Sequence, residues 1–112
     1  MEITRKKIDT IEVFELNGKL DVVGSKIVQQ EILPILAKDL KILIDMTGCS
    51  YVASSGLRVL LIIAKQSAMV SCTSALANVQ PLVWDVITST GFEEVLATYD
   101  SVENGLRELS NA

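Results

Sequence analysis

Two serines and a glycine in a row, Ser54-Ser55-Gly56, stand where a strand-and-turn segment hands over to the most apolar stretch of the chain. A serine hydroxyl so placed has three chemistries open to it. It can attack an acyl group if a base activates it, accept a phosphoryl group, or cap the helix that follows. The first needs partners that this chain does not carry. There is no histidine, which removes Ser-His-Asp and Cys-His catalysis. Asp21 and Asp45 are the carboxylates expected near the serines, and Asp45 is read more simply as hydrogen-bonded within its own turn. Gly48-Cys49-Ser50-Tyr51-Val52 lacks the second glycine of a nucleophile elbow. Cys49 and Cys72 are too few for a zinc site, and no glycine-rich phosphate loop with a lysine is present. No catalytic residue, metal ligand or cofactor is therefore expected, and the chain reads as a binding protein rather than an enzyme.

Capping and phosphorylation do not exclude each other. A serine at the N-cap satisfies an orphan N–H, a contribution of about 1 kcal/mol. A phosphate on Ser54 would add roughly −1.5 to −2 charges and several acceptors, and a helix N-terminus accommodates an anion. The fold would barely register the modification, whereas a partner docked over the same corner would be displaced. Gly56 fits both readings, as a position that leaves the backbone open to a partner.

The totals bound the rest. The 112 residues read as one domain, residues 1–112, large enough to bury a core unaided. Apolar residues make up 49% and aromatic residues 4%, so the core is aliphatic, as in parallel strands covered by helices. No apolar run reaches the roughly 18–20 residues of a membrane span. Met1–Thr10 lacks the apolar segment of a signal peptide. Membrane insertion is not expected, and a cytoplasmic location with reduced cysteines is. The net charge of −4 argues against direct nucleic-acid binding, which rests on clustered Lys and Arg. Arg5-Lys6-Lys7, the one basic cluster, reads as edge-strand protection.

The elements that must position the serines follow from periodicity. Residues 3–7 and 10–16 read as strands joined by a turn at Ile8-Asp9-Thr10, with Asn17-Gly18 ending the second. Asp21 or Ser25 caps a helix running to about Lys38, on which Val28, Ile32, Ile35 and Leu36 share a face. Pro34 should loosen or kink it. A strand over Lys41–Met46 and a turn through residues 47–50 lead to the serines. One of these opens a helix to about Ala68 that is buried on most sides. Val70–Leu76 reads as a strand, and Asn78 as the cap of a helix with Pro81 in its first turn. Gly91 ends that helix. A short strand near 95–98 follows, then a capping box at Asp100–Glu103 opens a last helix to about Leu109. The order ββαβαβαβα implies an α/β fold with a largely parallel sheet of four to five strands and about four helices. In such sheets, sites gather beyond the carboxyl ends of the strands, where the Asp21 and Ser54 loops both fall.

Several segments, in order and over nearly the whole chain, resemble the STAS domain. They are Gly18–Asp21 (GKLD), Leu43–Gly48 (LIDMTG), Tyr51–Leu61 (YVASSGLRVLL), Thr90–Phe92 (TGF) and Tyr99–Leu106 (YDSVENGL). That family includes the bacterial anti-sigma factor antagonists. The resemblance implies a STAS-like fold and a partner-switching regulator of transcription. Unphosphorylated, such a protein binds an anti-sigma factor that is also a GHKL-type Ser/Thr kinase. Phosphorylation of the first serine breaks the complex, and a phosphatase resets it. Carried over residue by residue, Ser54 is the acceptor. Asp21, with Val22 and Ser25 beside it, and Ala53, Ser55, Gly56, Leu57 and Arg58 form the contact surface around it. A homodimer is left open.

One departure bears on function. The family places an acidic residue before the first serine, and this chain has Ala53. The change points to an altered kinase partner, weaker phosphorylation, or binding without switching. The competing reading is an unswitched STAS adaptor subunit of a membrane transport system, such as lipid transport, with Ser54 acting only as a cap.

Overall fold

The computed structural model describes residues 1–111. Its longest strand, β2 (Ile11–Leu20), organises the sheet. β1 (Glu2–Ile8) lies antiparallel to it through a turn in which Asp9 takes a left-handed backbone. The first half of β2 pairs in parallel with β3 (Lys41–Asp45), and its last residues pair in parallel with β4 (Cys49–Val52). β3 continues in parallel to β5 (Thr73–Ala77), and β5 to the two-residue β6 (Thr98–Tyr99). The sheet order is β1-β2-β3-β5-β6, with β4 attached to β2.

The helices are α1 (Val22–Ile32), α2 (Ser54–Met69), α3 (Pro81–Ser89) and α4 (Val102–Ser110). Alternation along the strands sorts the side chains into two cores. Phe14 and Leu16 of β2 with Ile42 and Ile44 of β3 meet Val28 and Ile32 of α1, Leu60 and Ile63 of α2, and Val83 and Ile87 of α3. Ile11 and Val13 of β2 with Leu43 of β3 meet Leu109, and α4 alone covers that second core. The aliphatic composition is thus spent on central strands buried on both faces.

Several boundaries differ from the sequence reading, each for a local reason. β2 does not stop at Asn17-Gly18. Gly18 takes φ +123, a conformation glycine tolerates, and with a register shift between Gly18 and Lys19 the strand runs on to Leu20. Cys49–Val52, read as turn and loop, is a sixth strand because that extension offers it a partner. α1 ends at Ile32, and Leu33–Ile35 form a 3₁₀ turn, since Pro34 cannot donate a helical hydrogen bond. β5 starts at Thr73 because Ser71 is left-handed. Phe92–Glu94 close a 3₁₀ turn that delays β6 to Thr98. Ser101, not Asp100, caps α4, accepting from the Asn104 N–H at 3.0 Å. Gly91 follows α3 with φ +77, as its position after Ser89-Thr90 predicts.

Because one helix closes the second core, its anchor is a sensitive position. Leu109→Ala should destabilise the protein by about 2–5 kcal/mol, the cost of deleting a buried leucine, measured as a lower urea midpoint with an unchanged slope.

Candidate functional site at the N-terminus of α2

Two helices start beside the end of β2, and each uses a glycine to get there. A Cβ on Gly24 of α1 would overlap the Lys19 carbonyl oxygen. One on Gly56 of α2 would overlap the Leu20 carbonyl oxygen and lie 2.7 Å from the Leu20 Cγ. The Ala53 N–H donates to that same Leu20 carbonyl at 3.0 Å. Helix N-termini α1 and α2 are therefore held against adjacent residues of one strand end, and α1 packs against α2. Gly56 is buried. Its role is close helix–strand packing, not an open backbone facing a partner.

The predicted residues gather here. Asp21 is the N-cap of α1, its Oδ1 accepting from the Gly24 N–H at 2.9 Å. Ser25, the other capping candidate, is buried one turn later and donates its hydroxyl to the Asp21 carbonyl. Val22 is 59% exposed at the tip of α1 and Val23 is 67% exposed. Neither serine caps α2. Ala53 occupies the N-cap with an extended backbone and offers no side-chain acceptor. Ser54 is the first helical residue and is exposed. Ser55 is next, its hydroxyl oxygen buried without a hydrogen-bond partner. Leu57 points into the main core, so it supports the corner from beneath and is not a contact residue. Arg58 is exposed one turn past Ser54.

A brace fixes the neighbouring loop. Asp45 Oδ1 accepts from the Thr47 N–H at 3.0 Å and from the Thr47 hydroxyl, confirming its turn-binding role. The Asn78 side-chain amide donates to Thr47 Oγ1 at 2.8 Å, and the Gln80 amide to the Thr47 carbonyl at 2.7 Å. The sequence reading had Asn78 as the α3 cap. Instead Asn78 is left-handed and ties β5 to the loop before β4, and Gln80 precedes the helix. Its Asn identity was the available signal, since Asn tolerates that conformation.

Both cysteines are buried and unpaired. Burial raises the thiol pKa of Cys49 and Cys72, only partly offset by nearby hydrogen bonds. Among the described residues no cluster of three metal-ligating side chains exists. A cavity of about 320 Å³ is lined by Val79, Trp84 and Tyr99 among others and includes none of the corner residues.

A model of the STAS domain matches residues 2–105. The chain belongs to the STAS domain family. It is 28% identical over 104 residues to BtrV of Bordetella bronchiseptica, assigned as an anti-sigma factor antagonist, covering 92% of this chain and 90% of BtrV. The fold matches the anti-sigma factor antagonist SpoIIAA in its unphosphorylated form at a TM-score of 0.78, with 17% identity, over 99% of this chain and 98% of that one. It also matches part of the murine anion transporter Slc26a9 at 0.82, with 17% identity, over 96% of this chain but 19% of the transporter. The STAS fold thus serves both free-standing and transporter-fused proteins, and the chemistry of the corner has to separate the roles.

Gly56→Ala should cost about 1–3 kcal/mol through overpacking on Leu20, read by chemical denaturation. For the thiols, burial both raises the pKa and shields the sulfur from reagent. Alkylation of the native protein should therefore be far slower than of the urea-unfolded chain at pH 7 to 8, by mass spectrometry. Because the folded state holds these protons above the ordinary thiol value, their contribution to stability is full below that value and is lost as pH rises from it through the raised one.

Proposed function

We propose that this chain is an anti-sigma factor antagonist that acts by partner switching at Ser54. Unphosphorylated, it binds an anti-sigma factor that is also a GHKL-type Ser/Thr kinase, and so frees the sigma factor. Phosphorylation of Ser54 releases it, and a phosphatase restores binding. The contact surface is Asp21 and Val22 of the α1 end together with Ala53, Ser54, Ser55 and Arg58, with the buried Ser25, Gly56 and Leu57 as support from beneath. The unit that acts is residues 1–112, as one domain in the cytoplasm; no helix among the described residues is long and apolar enough to cross a membrane.

The observation that carries this reading is the contrast between the paired serines. Ser54 is exposed at the first position of α2, while the oxygen of Ser55 is buried. A kinase can reach the first hydroxyl and not the second. The exposed Val22 and Val23 beside it supply apolar area for a partner. Burying such surface contributes about 25 cal/mol per Å². A phosphate added at its centre carries roughly −1.5 to −2 charges, which the partner would have to desolvate. A loss of about 2.8 kcal/mol already weakens binding roughly a hundredfold. The fold tolerates the change, because Ser54 makes no side-chain hydrogen bond needed to start α2.

The test is a phosphorylation assay with GHKL-type kinases of the same organism, read by intact mass on wild type, Ser54→Ala and Ser55→Ala. The expected result is one phosphate on wild type and Ser55→Ala and none on Ser54→Ala. Binding of a partner with no phosphate gained would instead support the unswitched transport adaptor.

A further inference from the structure

The first turn of α2 carries uncapped N–H groups and no acidic side chain. Its earliest helical bond is from the Leu57 N–H to the Ala53 carbonyl at 3.0 Å. The N–H groups of Ser54, Ser55 and Gly56 precede that bond, and Ala53 caps none of them. The positive end of a 16-residue helix is thus left without a side-chain acceptor. Beside it, α1 and α2 enclose a groove of about 160 Å³ whose polar lining is Ser25, Lys26, Gln29, Ser55 and Arg58. None is acidic, although the chain as a whole carries −4. No ion pair among the described residues engages Lys26 or Arg58. The Ser55 hydroxyl at the groove wall is buried and unpartnered, an arrangement that costs free energy until an acceptor or donor meets it. Asp21, at the N-cap of α1, already turns Oδ1 toward the Gly24 N–H.

We propose that this turn and groove form a phosphoryl-binding site that holds the phosphate of Ser54 in cis, with Arg58 and Lys26 as its charged clamps. The inference rests on Ser54 as the phosphate acceptor and deepens that reading. Ser54 and Arg58 are four residues apart on one helix, the spacing at which side chains meet. A guanidinium grips phosphate oxygens in a fork that a lone ammonium cannot form. Ala53 then gains a positive meaning. An acidic side chain there would compete for the same N–H groups and repel the phosphate, so its absence favours the modified state. The phosphate itself becomes the missing cap. It also withdraws Arg58 from the surface offered to a partner, so modification blocks docking in two ways.

The test uses the full chain with phosphoserine genetically installed at position 54, so that no kinase is required. The second phosphate pKa is measured by ³¹P NMR titration. Nearby positive groups favour the dianion, so the value should lie below the ordinary value of about 6, by roughly half a pH unit. Arg58→Gln and Ala53→Asp should each move it back up, and Lys26→Gln by less. Lys26 and Arg58 are exposed, and a pKa lowered by the helix terminus alone would not respond to Arg58→Gln or Lys26→Gln, a result that would overturn the clamp. A value at the ordinary position in wild type, unchanged by all three substitutions, overturns the site. If instead the pKa is lowered but no kinase modifies Ser54, the switch fails and the phosphoryl site stands.

Discussion

The structure depends on how closely two helices approach the end of one strand. Lys19 and Leu20 present successive carbonyls, and Gly24 and Gly56 let α1 and α2 come down onto them. The Leu20 carbonyl also accepts from Ala53, which sets the residue before the serines in an extended conformation. From that single contact follow the adjacency of the Asp21 and Ser54 loops, the exposure of the first serine and the burial of the second. A side chain at either glycine would lift a helix and separate the parts of the corner. The strand end must itself be stiff, and the parallel pairing of Gly18–Leu20 with β4 makes it so.

The rest of the molecule holds this corner in place. The main core ties α1, α2 and α3 to Phe14, Leu16 and Ile44 on one face. The brace from Asp45 through Thr47 to Asn78 and Gln80 fixes the loop leading into β4 with two side-chain bonds from the far side of β3. Buried hydrogen-bonded carboxylates of this kind define geometry more than they add stability. Function needs little else from the chain. A switch of this type performs no chemistry of its own, so it requires an accessible hydroxyl, a partner surface and a rigid mount.

Much of this was legible in the sequence. The helix periods of α1 and α2, the buried run of β3 and the Gly91 stop are local patterns, and local patterns survive folding. The corner was legible because strand ends in a parallel sheet collect on one edge, which puts Asp21 and Ser54 together. What escaped was set by distant partners. β4 is a strand only because β2 outruns its own turn signal, and Asn17-Gly18 reads as a stop unless the bulge at Gly18 is known. Gly24 and Gly56 carry no local sign that a carbonyl lies beneath them. Asn78 reads as a cap but makes a left-handed turn, since the two share the same residue preference. Leu57 falls within the contact segment that the resemblance implies, yet it faces the main core with Leu60.

The account stands or falls on where a partner docks. The most direct measurement is hydrogen–deuterium exchange of the unphosphorylated chain, alone and saturated with the kinase that modifies it. The expected result is protection confined to residues 20–26 and 52–59, with α3 and α4 unchanged. Protection centred on α3, β6 or α4, with the Ser54 corner exchanging as in the free protein, would contradict it.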